Sequence, residues 1–131
     1  MKIMRTIGML TMALAAAGCA VSPEIQALMD EYERTVPVCS SEQDCQVKWR
    51  AARAWAIENS NFPILTENEL RIMASSTLSP TRGVGVVVNR DGILAGASLR
   101  VEVECFSASA CPNVWEMQID FNRTVAAASA N

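Results

Sequence analysis

Apolar residues recur every three or four positions after Ser22-Pro23-Glu24, which is the spacing of one face of an amphipathic helix. A serine N-cap, a proline in the first turn and an early carboxylate are all typical of a helix start. The pattern predicts a short helix from Pro23 to about Arg34, ended by Val36-Pro37-Val38. This helix could be a spacer, a docking element or part of the fold, and packing onto its own domain is the simplest interpretation.

The strongest helical pattern follows Ser40-Ser41-Glu42-Gln43, which offers a capping box. It predicts a helix from about Glu42 to Asn59. The apolar stripe of this helix consists of Cys45, Trp49, Ala52, Trp55 and Ala56. We expect its tryptophans to belong to the core rather than to a ligand platform. The charged residues expected on its wetter surface are Lys48, Arg50, Arg53 and Glu58.

Alternating apolar residues in the middle of the chain predict strands. We expect residues 62–66 and 70–73 to form two short strands or one bulged strand, and residues 76–82 to form a mobile polar loop. A hairpin follows, with alternating valines over 84–88, a turn at Asn89-Arg90-Asp91-Gly92 and a return strand over 99–105. The residues of the return strand expected in water are Arg100, Glu102 and Glu104.

The apolar residues of the C-terminal segment fit both the two-residue period of a strand and the 3.6-residue period of a helix. Trp115, Met117, Ile119 and Phe121 alternate as in a strand, whereas Val114, Met117, Phe121 and Val125 fit a helix. Pro112 and the alanine-rich end favour a helix from about Pro112 to Ala128. The elements together predict an α+β domain of two layers. An antiparallel sheet of three to four strands is covered by two helices, with the short N-terminal helix in addition.

The first residues have a different pattern. Lys2 and Arg5 precede an uncharged stretch that runs to Pro23, as in the charged and apolar regions of a secretory signal. A retained transmembrane helix would need about 20 predominantly apolar residues, and this apolar stretch is shorter. The stretch ends in small residues directly before Cys19.

That ending, Leu14-Ala15-Ala16-Ala17-Gly18-Cys19, resembles the bacterial lipobox. The resemblance implies cleavage before Cys19 and acylation of Cys19 by several chains, palmitate among them. Several chains on one residue would anchor the protein stably in a membrane. Ala20 is no inner-membrane retention signal, so the resemblance also implies sorting to the outer membrane, with the domain facing the periplasm.

Cleavage would remove 18 of the 131 residues and leave 113, enough for one domain. The predicted parts are the signal peptide 1–18, the lipidated N-terminus with its short helix 19–38, the stapled domain 39–128 and the tail 129–131. Losing Lys2 and Arg5 changes the net charge from −3 to −5. Such an acidic domain lacks the excess of positive charge that binds nucleic acid or anionic headgroups. A partner selected by charge would be basic.

Four cysteines remain after Cys19: Cys39, Cys45, Cys105 and Cys111. In an oxidising periplasm an even set predicts disulfides, and four cysteines allow three connectivities. The serine-containing segments inside each Cys-x5-Cys pair supply turns, so the local pairing of Cys39 with Cys45 and Cys105 with Cys111 is favoured over the other two. Metal and redox sites usually show closer cysteine spacing, and we expect neither.

The chain has no histidine, which excludes Ser-His-Asp and Cys-His catalysis in cis. Glu102 and Glu104 share a strand face, and Glu116 and Asp120 share a helix face. Solvated polar surface is the better interpretation of both pairs than paired catalytic acids. We therefore expect no catalytic residue, no cofactor and no metal.

Two Cys-x5-Cys pairs, each followed by an aromatic helix, make the mature chain similar to small proteobacterial lipoproteins with no assigned activity. The matching residues are Cys39, Cys45, Trp49, Cys105, Cys111, Trp115 and Phe121. We expect a noncatalytic, membrane-tethered module for binding or envelope maintenance, with a protein partner. The alternative is an inhibitor or sequestering protein for a basic enzyme or peptide. An enzyme that uses carboxylates alone is the third hypothesis.

Overall fold

The computed structural model describes residues 19–76 and 82–129. Within these ranges the chain forms an α+β fold of three helices and one antiparallel sheet of four strands, as the sequence pattern predicts. The elements in chain order are α1 (Pro23–Thr35), α2 (Glu42–Asn59), β1 (Thr66–Glu67), β2 (Arg71–Ala74), β3 (Val84–Asp91), β4 (Ser98–Cys105) and α3 (Val114–Ala127). The predicted signal peptide 1–18 and residues 77–81 of the predicted polar loop lie outside the described residues, as do residues 130 and 131.

The strands lie in the sheet in the order in which they occur in the chain. All neighbours are antiparallel, and β3 pairs with β4 over its whole length, from Val84 opposite Cys105 to Asp91 opposite Ser98. The inward residues of β3 and β4, among them Val86, Val88 and Val101, are fully or almost fully buried. Helices α2 and α3 pack on this face, where Trp55 and Phe121 meet edge to face at 5.3 Å between ring centroids.

Helices α1 and α2 both begin at serine caps: the cap of α1 is the predicted Ser22, whereas α2 is capped by Ser41 acting on Asp44 and not by the predicted capping box that ends at Gln43. Ser22 Oγ accepts from the Ile25 N–H, and Ser41 Oγ accepts from the Asp44 N–H. The predicted bounds of both helices are confirmed to within one residue. The C-terminal helix is also confirmed, but it begins after Asn113, whose Oδ1 caps the first turn, rather than at Pro112.

The outer edge of β4 is closed by other parts of the chain. The Leu99 N–H donates to Pro37 O at 3.0 Å, and the Tyr32 hydroxyl donates to Val101 O at 2.9 Å. The Val103 N–H donates to Gln118 Oε1 at 2.9 Å. Because the segment after α1 and side chains of α1 and α3 satisfy these backbone groups, the edge is protected against pairing with a further strand. Helix α1 thereby packs onto the domain through Tyr32, which is 7 % exposed.

The predicted turn at Asn89-Arg90-Asp91-Gly92 is wrong. Strand β3 continues to Asp91, because Arg90 pairs with Leu99 of β4 and its N–H donates to Leu70 O before β2. Residues 92–97 make the connection instead. Gly92 and Gly96 supply the left-handed backbone positions of this longer loop, with φ of +90° and +88°.

Lys48 was expected on the wetter surface of α2, and the structure buries it to 8 % exposure. Its Nζ donates to Asp44 Oδ1 at 2.7 Å and to Ala128 O at 3.0 Å. Ala128 is the C-cap of α3, so the ammonium lies at the negative end of that helix. A long aliphatic stem with a paired cation therefore replaces the expected solvated lysine.

The region between α2 and β3 contains less strand than its pattern suggests. Two strands form, but β1 is only Thr66–Glu67, and β2 covers Arg71–Ala74. Phe62 instead packs edge to face on Phe106 at 5.8 Å, and Pro63 follows it. Proline cannot donate to a strand ladder, which limits pairing at this point.

Candidate functional site

The structure joins the four predicted disulfide cysteines as local pairs. Cys39 is bonded to Cys45 with 4.9 Å between their Cα atoms, and Cys105 is bonded to Cys111 with 5.9 Å. Cys19 is exposed and lies outside both pairs, in the segment before α1. Its thiol is therefore accessible to solvent.

The first disulfide fixes the start of α2 against the connection between β3 and β4. Cys39 precedes α2 and Cys45 lies in its first turn, and both are buried. The Cys39 N–H donates to Ala97 O at 3.0 Å, and the Gly96 N–H donates to Cys39 O at 2.7 Å. These bonds hold loop 92–97 beside the N-terminal half of α2.

The carboxylates singled out in the sequence lie on the surface. Glu102 and Glu104 are exposed on the sheet face opposite to the helices, and Glu116 is exposed on α3. Asp120 is also exposed, and its Oδ2 accepts from Trp55 Nε1 at 2.8 Å. These acids therefore act as surface groups, one of which orients a core tryptophan.

Within residues 19–76 and 82–129, His, Cys, Asp and Glu side chains form no group of three or more suited to hold a metal ion. In the same ranges, no helix combines the length and the apolar character needed to cross a membrane.

A groove of about 820 Å³ opens where α2, the β1–β2 turn and loop 92–97 meet. This volume lies within the range of small-ligand pockets, about 300–1,000 Å³. The lining comprises Glu42, Gln46 and Trp49 of α2, residues 67–69, Arg90 of β3 and residues 93–95. The groove was not predicted from the sequence, because it combines segments that lie far apart in the chain.

The apolar part of the groove is formed by Trp49, Ile93 and Leu94. Trp49 is half-buried against the core, whereas Ile93 is 57 % exposed and Leu94 is 76 % exposed. These two exposed aliphatic side chains are neighbours in the chain and lie in the lining of the groove. The sequence signal for this surface was the pair Ile93-Leu94 between two glycines, Gly92 and Gly96.

The polar part of the lining carries three carboxylates, Glu42, Glu67 and Glu69, and one guanidinium, that of Arg90. Glu67 Oε1 accepts from Arg53 Nε at 2.7 Å, so its charge is paired. In the described part of the chain, Glu42 and Glu69 make no ion pair. The groove therefore offers two carboxylates that a cationic ligand can reach.

Each wall of the groove is held by specific bonds. Asn68 Oδ1 accepts from the N–H groups of Leu70 and Arg71 at 2.8 and 2.9 Å, which fixes the β1–β2 turn. Arg90 Nη2 donates to Ile93 O at 2.7 Å, which supports the apolar tip of loop 92–97. Arg90 Nε is buried and has no hydrogen-bond partner within the described ranges. The groove is therefore preorganised, with one spare buried donor behind its apolar tip.

No protein-family model matches the chain, and neither a curated protein nor a solved structure gives a significant match.

Proposed function

We propose that this protein is a lipid-anchored, noncatalytic binding module of the bacterial outer membrane that faces the periplasm. The lipobox-like leader and the exposed Cys19 support the tether. The groove between α2, the β1–β2 turn and loop 92–97 is the binding site in this proposal. Holding a partner at the membrane surface would serve envelope maintenance.

The observation that carries the binding role is the exposure of Ile93 and Leu94 beside the half-buried Trp49. Burying apolar surface is favourable by about 25 cal/mol of free energy per Å². Exposed apolar side chains do not make this contribution to stability. A loop selected only to connect β3 and β4 would gain from polar residues at these positions. A partner that covers the tip recovers this free energy, which is the usual energetic basis of a binding patch.

The chemistry of the lining supports binding rather than turnover. It offers carboxylates, amides, a guanidinium and an indole, but no hydroxyl or thiol nucleophile beside a base. The two carboxylates without ion pairs, Glu42 and Glu69, lie in an open groove.

Two measurements on the protein in its native membrane test this proposal. Intact mass spectrometry should find an acylated chain that begins at Cys19, with its remaining four thiols oxidised; an unmodified Cys19 would overturn the tether. A photoreactive phenylalanine analogue at Leu94 should crosslink in cells to a discrete partner identified by mass spectrometry. The matched probe at Glu104, on the opposite sheet face, should give no such adduct, and equal labelling from both positions would contradict the groove.

A further inference from the structure

We infer that the groove receives a peptide segment that combines basic and aliphatic side chains. This inference rests on the proposed function and adds the chemistry of the partner. It follows from the placement of two unpaired carboxylates, Glu42 and Glu69, in the same cleft as the apolar tip of loop 92–97.

The charge of the lining favours a cation. Glu42 lies in the first turn of α2, and Glu69 lies in the β1–β2 turn on another wall of the groove. Glu67, which also lines the groove, is already paired with Arg53. The one positive group of the lining, Arg90, directs Nη2 to the carbonyl of Ile93 and supports the loop. A lysine or arginine entering the groove therefore meets two carboxylates that lack a positive partner in the described part of the chain.

The apolar part of the lining favours an aliphatic side chain next to that cation. Leu94 and Ile93 are exposed at the loop tip, and the indole of Trp49 is partly accessible on the facing helix. An aliphatic side chain bound in this lining would contact apolar groups of both the loop and α2. The indole face can also attract a neighbouring ammonium or guanidinium.

The same charges argue against a lipid surface as the occupant. Apolar tips that insert into anionic membranes are usually flanked by lysine or arginine. Here the lining has three carboxylates against one guanidinium, and the mature chain carries a net charge of −5 after loss of Lys2 and Arg5. Anionic headgroups would be repelled at the position where the tip would have to insert.

The volume indicates a segment rather than a whole domain as the bound element. A groove of about 820 Å³ accommodates a few side chains of a peptide or of a protruding loop. Its walls are held by the Cys39–Cys45 disulfide and by the Asn68 turn, so little ordering free energy is lost on binding.

The test uses the full-length lipidated protein in nonionic detergent and a fluorescent peptide of sequence Lys-Leu-Lys-Leu-Leu-Lys. Two matched peptides replace either every lysine by glutamate or every leucine by serine, and detergent without protein is the blank. We expect the basic aliphatic peptide to bind at least about tenfold more tightly than either counterpart. Its affinity should fall as salt rises through about 0.1 M, since salt screens exposed charge pairs.

Variants locate the binding in the groove. The double variant Glu42→Gln with Glu69→Gln should weaken binding about tenfold, and Leu94→Ser should weaken it to a similar extent. The matched control, Glu102→Gln with Glu104→Gln, removes the same charge from the opposite face of the sheet and should change affinity less than about twofold. Equal weakening by both double variants would overturn the inference, because net charge rather than the groove would then attract the peptide.

The remaining outcomes separate the inference from the proposed function. If all peptides with leucine bind equally and only Leu94→Ser weakens them, the groove binds apolar segments and the basic partner is wrong. If no peptide binds above the blank, the inference fails, and the crosslinking from position 94 in cells decides the proposed function independently. In nanodiscs, labelling of acyl chains rather than peptide by the photoreactive residue at 94 would replace the peptide by a lipid surface.

Discussion

At the scale of single residues, Tyr32 shows how one polar atom joins α1 to the sheet. It is the one tyrosine of the chain, and its hydroxyl donates to Val101 O at 2.9 Å. Its ring meets Trp115 edge to face at 5.9 Å between centroids. Burial raises the pKa of its phenol above the usual 10.0, because the tyrosinate would lose its hydration.

The raised pKa predicts alkaline destabilisation. Since the native state holds the phenolic proton more tightly than the unfolded chain, the contribution of Tyr32 is fully present below about pH 10 and is lost as pH rises through the folded pKa. Absorbance titration of tyrosinate should give a higher midpoint in the native protein than in urea. Urea unfolding at rising pH should show the matching loss of stability. Tyr32→Phe should remove this pH dependence of stability and cost about 1 kcal/mol at neutral pH through the lost hydrogen bond. Equal titration midpoints in the native and unfolded protein would contradict the argument.

Asp44 predicts a complementary dependence on acid. The hydrogen bond from Lys48, and then that from the Ser40 N–H, hold the pKa of this carboxyl below its usual 3.8. The depressed folded pKa means that its contribution is present above pH 3.8 and is lost as pH falls through the folded pKa. Asp44→Asn should therefore lose less stability than the wild type between about pH 5 and about pH 2, measured by urea unfolding. Parallel losses in the two proteins would show that other carboxylates control acid unfolding.

At the scale of elements, β4 illustrates how a sheet edge can be closed by side chains. Gln118 is 7 % exposed on α3, and its Oε1 accepts from the backbone N–H of Val103. Tyr32 satisfies the neighbouring carbonyl of Val101 from α1. Among the described residues β4 pairs with β3 alone of the named strands, so two helix side chains, together with the bridge at Val38, complete the hydrogen bonding of its outer edge.

Replacing Gln118 by leucine tests this closure. Gln118→Leu keeps a side chain of similar size but leaves the Val103 N–H buried without an acceptor, which should cost about 1–3 kcal/mol in the free energy of unfolding. Thr124→Leu, at an exposed position of the same helix, should change the stability by less than about 0.5 kcal/mol. Denaturant unfolding measures both variants, and a Gln118→Leu protein as stable as the control would show that this bond does not protect the edge.

The sequence predicted elements well where the determining interactions were local. Caps at Ser22 and Ser41 and helical apolar spacing gave the bounds of α1 and α2, because each depends on residues within one or two turns. The turn after β3 could not be predicted from its Asp-Gly pair. The bond from Arg90 to Leu70, twenty positions away, extends the strand past the turn signal. Lys48 was misplaced for the same reason, since its second acceptor is Ala128 at the far end of the chain.

The groove could not be predicted from the sequence, because its residues come from segments that are distant in the chain and share no pattern. Trp49, Glu69 and Leu94 lie on three segments, and no periodicity relates them. Only the antiparallel register of β2 and β3 brings the β1–β2 turn to the end of the sheet where loop 92–97 emerges. The individual signals, an indole on a helix and an aliphatic pair between glycines, were each visible without indicating that they meet.

At the scale of the whole molecule, the two disulfides have the same sequence separation of six and different surroundings. The first is buried at the start of α2 and is bonded through Cys39 to loop 92–97, which carries one wall of the groove. The second joins the end of β4 to the segment before α3, and its Cys111 is exposed. Because the two loops are equally long, loop-closure entropy stabilises the fold by a similar amount through each disulfide, about 2 kcal/mol. The disulfides differ in their exposure to a reductant and in the part of the fold that they hold.

This difference predicts an order of reduction. A thiol reductant must reach a sulfur atom, so the exposed Cys111 should be attacked first and the buried Cys39–Cys45 bond should open only with wider unfolding. Alkylation and peptide mass spectrometry at increasing reductant should find Cys105 and Cys111 modified before the other pair.

Serine variants of both residues of each pair test how each disulfide affects binding. The Cys105 and Cys111 variant should keep the peptide affinity of the groove. The Cys39 and Cys45 variant should weaken that affinity, because loop 92–97 is then held to α2 less firmly. Loss of binding in the Cys105 and Cys111 variant, with its helix content unchanged, would mean that the groove depends on the β4–α3 connection and not on the disulfide beside it.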